Sequence, residues 1–324
     1  MTDSGGRGRS ERGMPGTEEG PFHRVEQALG RRIRSASPLH GGDIHQASRL
    51  VLEDGSSVFL KWNRSPAPGM FEAEAKGLAL LAGKTMARKP DADPAQPHPK
   101  AAGRESNGLY PRIPRVLAVD DAFLVLEYVE PLSRPDDRAQ RAFGAALARM
   151  HRRTAPQFGL DHSNWIGSLP QSNRFHATWG AFFTLERILP HVERGVRNGI
   201  FPTSAARGVE RGAERMDAVF PDETPALVHG DLWSGNALYD GQGKGVLIDP
   251  AVHFGHREMD LAMTRLFGGF SAAFHEGYQA EYPLEAGARE RTELCQLYPL
   301  LVHANLFGGG YVARCRTLLA RWFG

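Results

Sequence analysis

One stretch of the sequence, Leu227-Val-His-Gly-Asp-Leu-Trp-Ser-Gly-Asn236, constrains the fold of this 324-residue chain more than any other feature. It begins with an apolar run that leads to Asp231, and Asn236 follows five positions later. A second apolar run, Val246-Leu-Ile-Asp-Pro250, leads to Asp249, and the connector between the two is rich in glycine and polar residues. The sequence therefore predicts two short strands joined by a turn, with two carboxylates and one carboxamide in fixed order.

The distance in sequence between Asp231 and Asn236 is the D-x-x-x-x-N spacing of a kinase catalytic loop. Phosphoryl transfer needs positioning and charge neutralisation from a protein more than covalent chemistry. We therefore predict that Asp231 is the base that accepts the proton of the attacking hydroxyl. Asn236 and Asp249 are predicted to provide oxygen ligands of the kind that Mg²⁺ prefers. A turn cluster without catalytic role is the alternative, and it does not account for several matching positions at once.

A lysine at the end of an apolar run is the second informative feature. Lys61 closes Val58-Phe-Leu-Lys-Trp62, a costly place for an ammonium group that has no partner. In a kinase lobe its partners are the nucleotide phosphates and a helix glutamate. We predict Glu74 as that glutamate, with Glu72 as the second choice, and we expect the pair with Lys61 to be partly exposed. Gly41 and Gly42 are predicted to let the backbone approach the phosphates, because glycine lacks a Cβ atom.

Two further segments are assigned by their place in the order of motifs. Glu127, Tyr128 and Val129 close an apolar run where a kinase links its two lobes, and their backbone groups are predicted to bind adenine; an ordinary buried strand end has the same pattern. Asp260 opens a helical stretch, where it is either the N-cap or the acceptor of backbone N–H groups of the catalytic loop. We assign His229 and Asp260 to structural support of that loop.

Hydrophobic periodicity divides the chain into a strand-rich first third and a helix-rich remainder. We expect a disordered tail (residues 1–20), a nucleotide-binding lobe (21–129, with a flexible insertion at about 84–110), and a catalytic and substrate-binding lobe (130–324). The predicted strands are Ala47–Leu52, Val58–Trp62, Val116–Val119 and Ala122–Val129, and the predicted helices are Phe71–Ala82, Arg138–Arg152, Trp179–Val192, Asp260–Phe267 and Leu294–Trp322. The fold class is α+β, with a small β-rich lobe and a larger helical lobe.

Composition narrows the class of protein without identifying it. A formal net charge of +2 gives no reason to expect a nucleic-acid or membrane partner. The two cysteines, Cys295 and Cys315, are too few for a disulfide-dense secreted scaffold and fit a reducing cytosol. Because no apolar stretch is suited to be a signal peptide or a membrane span, we expect a cytoplasmic protein. We also expect the protein to be a monomer.

At these residues the sequence resembles the fructosamine kinase (ketosamine-3-kinase) family, relatives of aminoglycoside and choline kinases with a protein-kinase-like fold. The resemblance covers roughly residues 22–324 and is most specific in His229–Asn236 and in Gly255-His-Arg-Glu-Met-Asp-Leu-Ala-Met263. Further matching blocks are Asn164–Gly167, Gln171–Asn173, Trp179–Phe183 and His303–Tyr311.

This resemblance implies an ATP- and Mg²⁺-dependent kinase that phosphorylates the 3-hydroxyl of ketosamines, which are fructosamine or ribulosamine adducts of amines or protein lysines. It also implies that the 3-phosphate sheds the sugar and so reverses glycation. Trp233, next to the base, is predicted to form a flat wall for the sugar, or else only to pack the loop. Two alternatives stay open: a kinase for another small alcohol of the aminoglycoside or choline type, and a non-catalytic pseudokinase that acts as a binding module.

Overall fold

The N-terminal part of the chain folds around one antiparallel sheet. Its strands are β1 (Ile33–Leu39), β2 (Gln46–Leu52), β3 (Ser57–Trp62), β4 (Val116–Asp120) and β5 (Phe123–Glu127), and two helices accompany them, α1 (Phe22–Leu29) and α2 (Met70–Leu81). The computed structural model describes residues 20–39, 45–84 and 109–324, and the strand order is β1-β2-β3-β5-β4. The predicted strands and the predicted helix of this lobe are confirmed to within two residues at their ends.

The two faces of this sheet are covered by different helices, which fixes the strand register. Leu50 and Leu60 pack on one face in a cluster with Val25 of α1. On the other face, Leu124 of β5 packs with Phe71 of α2. Each such burial stabilises the lobe by roughly 1.5–3 kcal/mol. Because Lys61 pairs with Leu124 across β3 and β5, this packing holds α2 beside the lysine.

Strand β1 was not among the predicted strands. Its sequence, IRSASPL, has no apolar alternation, and its five central residues are exposed. It lies at the sheet edge and, among the described strands, pairs with β2 alone. This arrangement tolerates Pro38, because an edge strand can leave one N–H side unpaired. A half-solvated edge strand carries no hydrophobic pattern, so sequence periodicity does not detect it.

The rest of the chain is mainly helical. Its helices are α3 (Asp137–His151), α4 (Trp179–Phe182), α5 (Leu189–Arg197), α6 (Thr203–Val219), α7 (Glu258–Leu266), α8 (Ala272–Glu281), α9 (Ala288–Phe307) and α10 (Gly310–Phe323). Its short strands form three antiparallel pairs: β6 (Asn164–Ile166) with β7 (Leu169–Gln171), β8 (Ala226–Val228) with β11 (His253–Gly255), and β9 (Ala237–Tyr239) with β10 (Gly245–Leu247). Helices α3 and α8 cross closely at Gly144, where a Cβ atom would lie 1.9 Å from the Phe274 carbonyl oxygen.

Two predicted helices are interrupted. The predicted helix Trp179–Val192 contains a π-helical segment, Phe183–Ile188, between α4 and α5. Pro190 follows at the start of α5, and its missing N–H removes a bond that a continuous α-helix would make to Glu186. The predicted helix Leu294–Trp322 is two helices, α9 and α10, because Gly308 and Gly309 adopt positive φ values of 66° and 60°.

Some expectations concern residues beyond those described. The predicted disordered tail (1–20), the flexible insertion (about 84–110) and the glycine pair Gly41-Gly42 lie wholly or almost wholly outside the described residues, so they stay predictions. Within the described ranges, every helix is too short or too polar to span a lipid bilayer.

Candidate active site

Two short antiparallel strand pairs, β8 with β11 and β9 with β10, bring the three predicted site residues together. Strands β8 and β9 flank the loop 229–236, and β10 and β11 flank the segment 248–252. Backbone hydrogen bonds from Ile248 N to Asn236 O (3.0 Å) and from Ala251 N to His229 O (2.9 Å) tie the loop to that segment. The Asn236 Nδ2 atom donates to the Asp231 carbonyl and to Asp231 Oδ2, each at 2.9 Å. Asp249 therefore shares one site with Asp231 and Asn236, although it follows Asn236 by 13 positions.

Asp260 supports the loop 229–236 by hydrogen bonds to its backbone. It is buried within α7, and its carboxylate accepts from the backbone N–H groups of His229 (2.7 Å) and Gly230 (2.9 Å). His151 Nε2 lies 3.1 Å from the same carboxylate. Two roles were foreseen for Asp260, and the structure shows that it binds the loop. It is not the N-cap of α7, because that residue is Arg257, whose side chain makes no capping hydrogen bond. The His229 side chain also supports the loop, because its Nε2 atom lies 3.0 Å from the Ile248 carbonyl oxygen.

Backbone conformation at two positions makes this packing possible. Gly230 has φ +84°, and a Cβ atom there would lie 2.1 Å from the Ala251 carbonyl oxygen, so any side chain would separate the two segments. Asp249 has φ 56° and is the one non-glycine residue with positive φ in the described part of the chain. That conformation costs about 1–3 kcal/mol and is found preferentially at functional sites.

Asp231 has the electrostatics of a base. Burial, and after it the neighbouring charge of Asp249, raise its pKa to about 7. The hydrogen bond from Asn236 opposes this shift without cancelling it. A carboxylate with a pKa close to the working pH combines the ionised form with a useful affinity for protons, which is the requirement for general-base catalysis.

Lys61 lies between two carboxylates. Its Nζ is 2.8 Å from Glu74 Oε2 and is also in ion-pair contact with Asp249. Burial alone would lower the Lys61 pKa, but the charges of Asp249 and Glu74 outweigh it and raise that pKa. Burial is also the main cause of the raised pKa of Glu74, against the opposing charge of Lys61. At Asp249 the pKa is lowered, because the Lys61 ammonium outweighs desolvation.

The predicted pairing of Lys61 with Glu74 is confirmed, and Glu72 is excluded as the partner. Glu72 pairs with Lys76 at 2.6 Å, and its side chain is 62% exposed. One part of our expectation was wrong. We expected a partly exposed pair, whereas the side chains of Lys61 and Glu74 are only 9% and 8% exposed. Removing one partner of a buried pair leaves an uncompensated charge and is strongly destabilising.

The predicted adenine-binding segment follows β5 and is anchored by arginines. The Glu127 carboxylate accepts from Arg112 and from Arg115 Nε (3.3 Å), while Arg112 also reaches Asp240 at 2.8 Å. Arg112 therefore joins this segment to the β9–β10 turn of the helical part. The Tyr128 ring lies 4.5 Å from the Arg49 guanidinium carbon, and Val129 is half-buried beside it. Binding of adenine by Glu127, Tyr128 and Val129 stays a prediction.

Trp233 lies at one side of the base, in a row of aromatic rings. Its ring centroid is 6.3 Å from that of Phe267 at an angle of 74°, and Phe267 lies 4.9 Å from His303. His303 and Asp231 line the same small cavity of about 20 Å³, large enough for about one water molecule. The Trp233 ring contacts the loop at Gly235 as well, so wall and packing roles are compatible.

A buried polar network behind the site escaped prediction. Its members are Arg187, Asn173, Asn164, Gln171 and Tyr298, each at most 4% exposed. Arg187 donates to Asn173 Oδ1 (2.6 Å), Asn173 and Gln171 both donate to Asn164 Oδ1, and Tyr298 donates to Gln171.

This network holds the segment that follows Asp249. Asn164 donates to the Val252 carbonyl at 2.8 Å. Tyr298, at its other end, lines the cavity that contains Asp231. The only sequence signal was that three of its residues, Asn164, Gln171 and Asn173, lie in matching blocks for which we had no role. Because the network residues are buried and hydrogen-bonded to one another, they hold the segment after Asp249 in position.

The donor set fits a nucleotide-bound Mg²⁺. Asn236 uses Nδ2 for Asp231, which leaves its Oδ1 as an acceptor. The Asp249 side chain is 48% exposed and contacts Lys61 through Oδ1. No group of three or more His, Cys, Asp or Glu residues suited to a metal occurs within the described ranges. Two protein oxygens match the usual coordination of Mg²⁺, which takes its remaining ligands from phosphates and water.

Comparison with known proteins agrees with this geometry. The family model described as "Fructosamine kinase" matches residues 21–323. A protein named "Probable ketoamine kinase" from Enterococcus faecium is 38% identical over 284 residues, which are 87% of this chain and 93% of that protein. "Protein-ribulosamine 3-kinase, chloroplastic" from Arabidopsis thaliana is 32% identical over 89% of this chain and 82% of its own length.

Solved structures share the fold. The crystal structure of a candidate fructosamine-3-kinase from Thermobifida fusca superposes with a TM-score of 0.76 at 34% identity, covering 92% of this chain and 98% of that one. Aminoglycoside phosphotransferases share the fold at much lower identity. The two-lobed, protein-kinase-like α+β fold predicted from the sequence is confirmed.

Proposed function

The chain belongs to the fructosamine kinase family, and from this premise we propose that it phosphorylates the 3-hydroxyl of ketosamines with ATP. The observation that carries the proposal is the assembly of Asp231, Asn236, Asp249 and Lys61 in one site, in a chain whose relatives are named ketoamine and ribulosamine 3-kinases. The acceptor class comes from those relatives. The chemistry comes from the site.

In the proposed reaction, the C3 hydroxyl of the sugar donates its proton to Asp231 while its oxygen attacks the γ-phosphorus. The bond between that phosphorus and the β,γ-bridging oxygen breaks, and ADP leaves with that oxygen. Asp231 must be ionised to accept the proton, and its pKa of about 7 keeps a large ionised fraction near neutral pH. The acceptor hydroxyl has to come within about 2.6–3.2 Å of the carboxylate, directly or through one water.

Nucleotide binding is assigned to the Lys61 cluster and its surroundings. Lys61 is held by Glu74 and points toward Asp249, so its ammonium lies where phosphate oxygens would approach the metal-binding carboxylate. Gly41 and Gly42 complete the phosphate side in this proposal, and the segment 127–129 the adenine side. Asn236 and Asp249 would hold a Mg²⁺ ion, which would neutralise the charge that develops on the phosphates.

The product of this reaction is a ketosamine 3-phosphate. As the family resemblance implies, that product is unstable and releases the sugar, so the physiological consequence is deglycation of amines or of lysine side chains. An amine end that points out of the cleft would allow a lysine adduct to bind without admission of a whole protein. Trp233 is proposed as the wall against which the sugar lies.

The proposal is tested by turnover of a substrate panel. Purified protein is incubated with equal ATP and Mg²⁺ and with ribulose-lysine, fructose-lysine, choline or an aminoglycoside, and ADP formation is measured. We expect turnover of one or both ketosamines above the other alcohols. Phosphorylation of choline or the aminoglycoside alone would keep the kinase chemistry and overturn the acceptor class. No turnover of any acceptor, together with ATP binding, would favour a pseudokinase.

A further inference from the structure

A second cavity lies beside the one that contains the base. It has a volume of about 270 Å³ and opens to the surface between α7, α9 and α10. Its lining consists of Leu266, Phe267, Leu300, Gly310, Tyr311 and Arg314. At about 30 Å³ for each water-sized group, it has room for roughly nine such groups. This volume is the size of one end of an amino acid, and it is far too small for a folded partner protein.

One aromatic residue separates the two cavities. His303 lines the cavity of Asp231, and its ring lies 4.9 Å from Phe267 and 5.0 Å from Tyr311, both of which line the second cavity. Trp233 also lies near Phe267, with 6.3 Å between the ring centroids. Consider a substrate whose hydroxyl group lies at Asp231 and whose other end continues along the row of rings. That other end passes His303 and Phe267 and enters the second cavity.

Arg314 gives this second cavity its charge. It is the only charged residue among the lining residues, and no carboxylate lies within ion-pair distance of it in the part of the chain that the structure describes. Its one described hydrogen bond goes to the neutral Gln296 Oε1 at 2.9 Å. A guanidinium has five N–H donors in a planar fork that matches a carboxylate, so most of its binding capacity is free for a ligand.

We propose that this second cavity binds the amine-derived part of the ketosamine, and that Arg314 recognises a carboxylate on it. The preferred acceptor is then a glycated amino acid with a free carboxylate, whose aliphatic chain lies along Phe267 and Tyr311. This inference rests on the proposed function, because it concerns the end of the substrate opposite the phosphorylated sugar. Arg314 is a specificity residue in this account and does not touch the reacting atoms.

The test compares two acceptors that differ by one charge. Nα-acetyl-Nε-ribulosyl-lysine carries a carboxylate, and its C-terminal amide does not. Both are assayed with the wild-type enzyme, with Arg314→Gln, and with Arg316→Gln. The last variant is the matched control, since Arg316 lies on the same helix and donates to the Ile200 carbonyl away from the cavity.

We expect the wild-type enzyme and Arg316→Gln to prefer the acid, and Arg314→Gln to lose about 10- to 100-fold in kcat/KM for the acid alone, the loss of one or two charge-assisted hydrogen bonds. Turnover of the amide should change less than twofold. Equal losses with both acceptors, or no preference of the wild-type enzyme for the acid, would overturn the role of Arg314. Absence of turnover with either acceptor would contradict the proposed function itself, an outcome distinct from the first two.

Discussion

The amide nitrogen of Asn236 lies 2.9 Å from the Oδ2 atom of Asp231, and the same nitrogen is 2.9 Å from the Asp231 carbonyl oxygen. One side chain therefore fixes both the backbone and the carboxylate of the candidate base. Because the nitrogen makes both contacts, the oxygen of the Asn236 amide is directed elsewhere and stays available to a cation. The arrangement lets the base and one metal ligand position each other.

Replacement of Asp231 by asparagine should abolish most of the catalysis and leave nucleotide binding in place. We predict that Asp231→Asn lowers kcat by about 10²–10⁴-fold, the usual contribution of a general base. The Kd for ATP should change little, since the shape of the site is kept. Steady-state kinetics and titration calorimetry measure the two effects. Turnover close to that of the wild type would remove Asp231 from the role of base.

The pH dependence of the reaction should report the same residue. Asp231 accepts a proton only when it is ionised, so kcat/KM for the ketosamine should rise with pH and level off above a midpoint of about 7. ATP also titrates in this range. The control is therefore the residual activity of Asp231→Asn, which keeps the titration of ATP and should lack the additional acid limb. Identical profiles for the two enzymes would assign the limb to the nucleotide.

The raised pKa of Asp231 also predicts a stability cost. A free aspartate has a pKa of about 3.9, and the folded protein raises it to about 7. Between these values the folded state binds more protons than the unfolded state, so this group lowers stability as pH rises, and the cost is complete above pH 7. Asp231→Asn should therefore melt at a higher temperature than the wild type at pH 8, with a difference that shrinks toward pH 4.5. A lower melting temperature at pH 8 would contradict this.

Lys61 should affect both stability and nucleotide use, and a double variant separates the two. Lys61→Ala leaves the Glu74 carboxylate buried without its partner, and we expect a loss of about 3–5 kcal/mol. Lys61→Met with Glu74→Gln removes both charges and should recover most of that stability, while ATP turnover stays low. Thermal melting and kcat/KM for ATP are measured in parallel. Recovery of turnover in the double variant would contradict a role for Lys61 in nucleotide binding. Glu72→Gln serves as the control on the same helix.

The network behind the site should respond to loss of a single hydroxyl. In Tyr298→Phe the buried Gln171 Oε1 loses its donor, which we expect to destabilise the protein by about 1–3 kcal/mol. Because Gln171 also donates to Asn164, which holds the segment after Asp249, kcat should fall along with stability. An unchanged melting temperature would mean that Tyr298 and Gln171 are not bonded in solution.

Prediction from the sequence worked where the signal is contiguous. The loop 229–236 contains its own spacing, so the proximity of Asp231 and Asn236 could be predicted without a structure. The contact between Lys61 and Asp249 joins residues 188 positions apart and was not predicted; the order of motifs suggested only that the two residues belong to one site. Sequence also does not show burial, which is why the Lys61–Glu74 pair was expected to be partly exposed.

The buried polar network around Arg187, in contrast, could not be predicted from the sequence. Its members come from a π-helical segment, the pair of three-residue strands β6 and β7 with the loop that follows it, and a long helix, and each residue type is ordinary in its own segment. Their shared burial arises only when β6, β7 and α9 pack together, so no local pattern identifies them. Strand β1 was missed for a related reason, since an exposed edge strand is stabilised by pairing with β2 and not by apolar alternation.

The most direct test of the account follows the phosphorus during the reaction. Ribulose-lysine is incubated with ATP and Mg²⁺, with wild-type enzyme or Asp231→Asn, and the products are monitored by ³¹P NMR. The account predicts that the wild-type enzyme produces a sugar phosphate ester on C3, which then decays with release of lysine, and that the variant produces almost none. Phosphorylation at another hydroxyl, or equal formation of the ester by both enzymes, would contradict it.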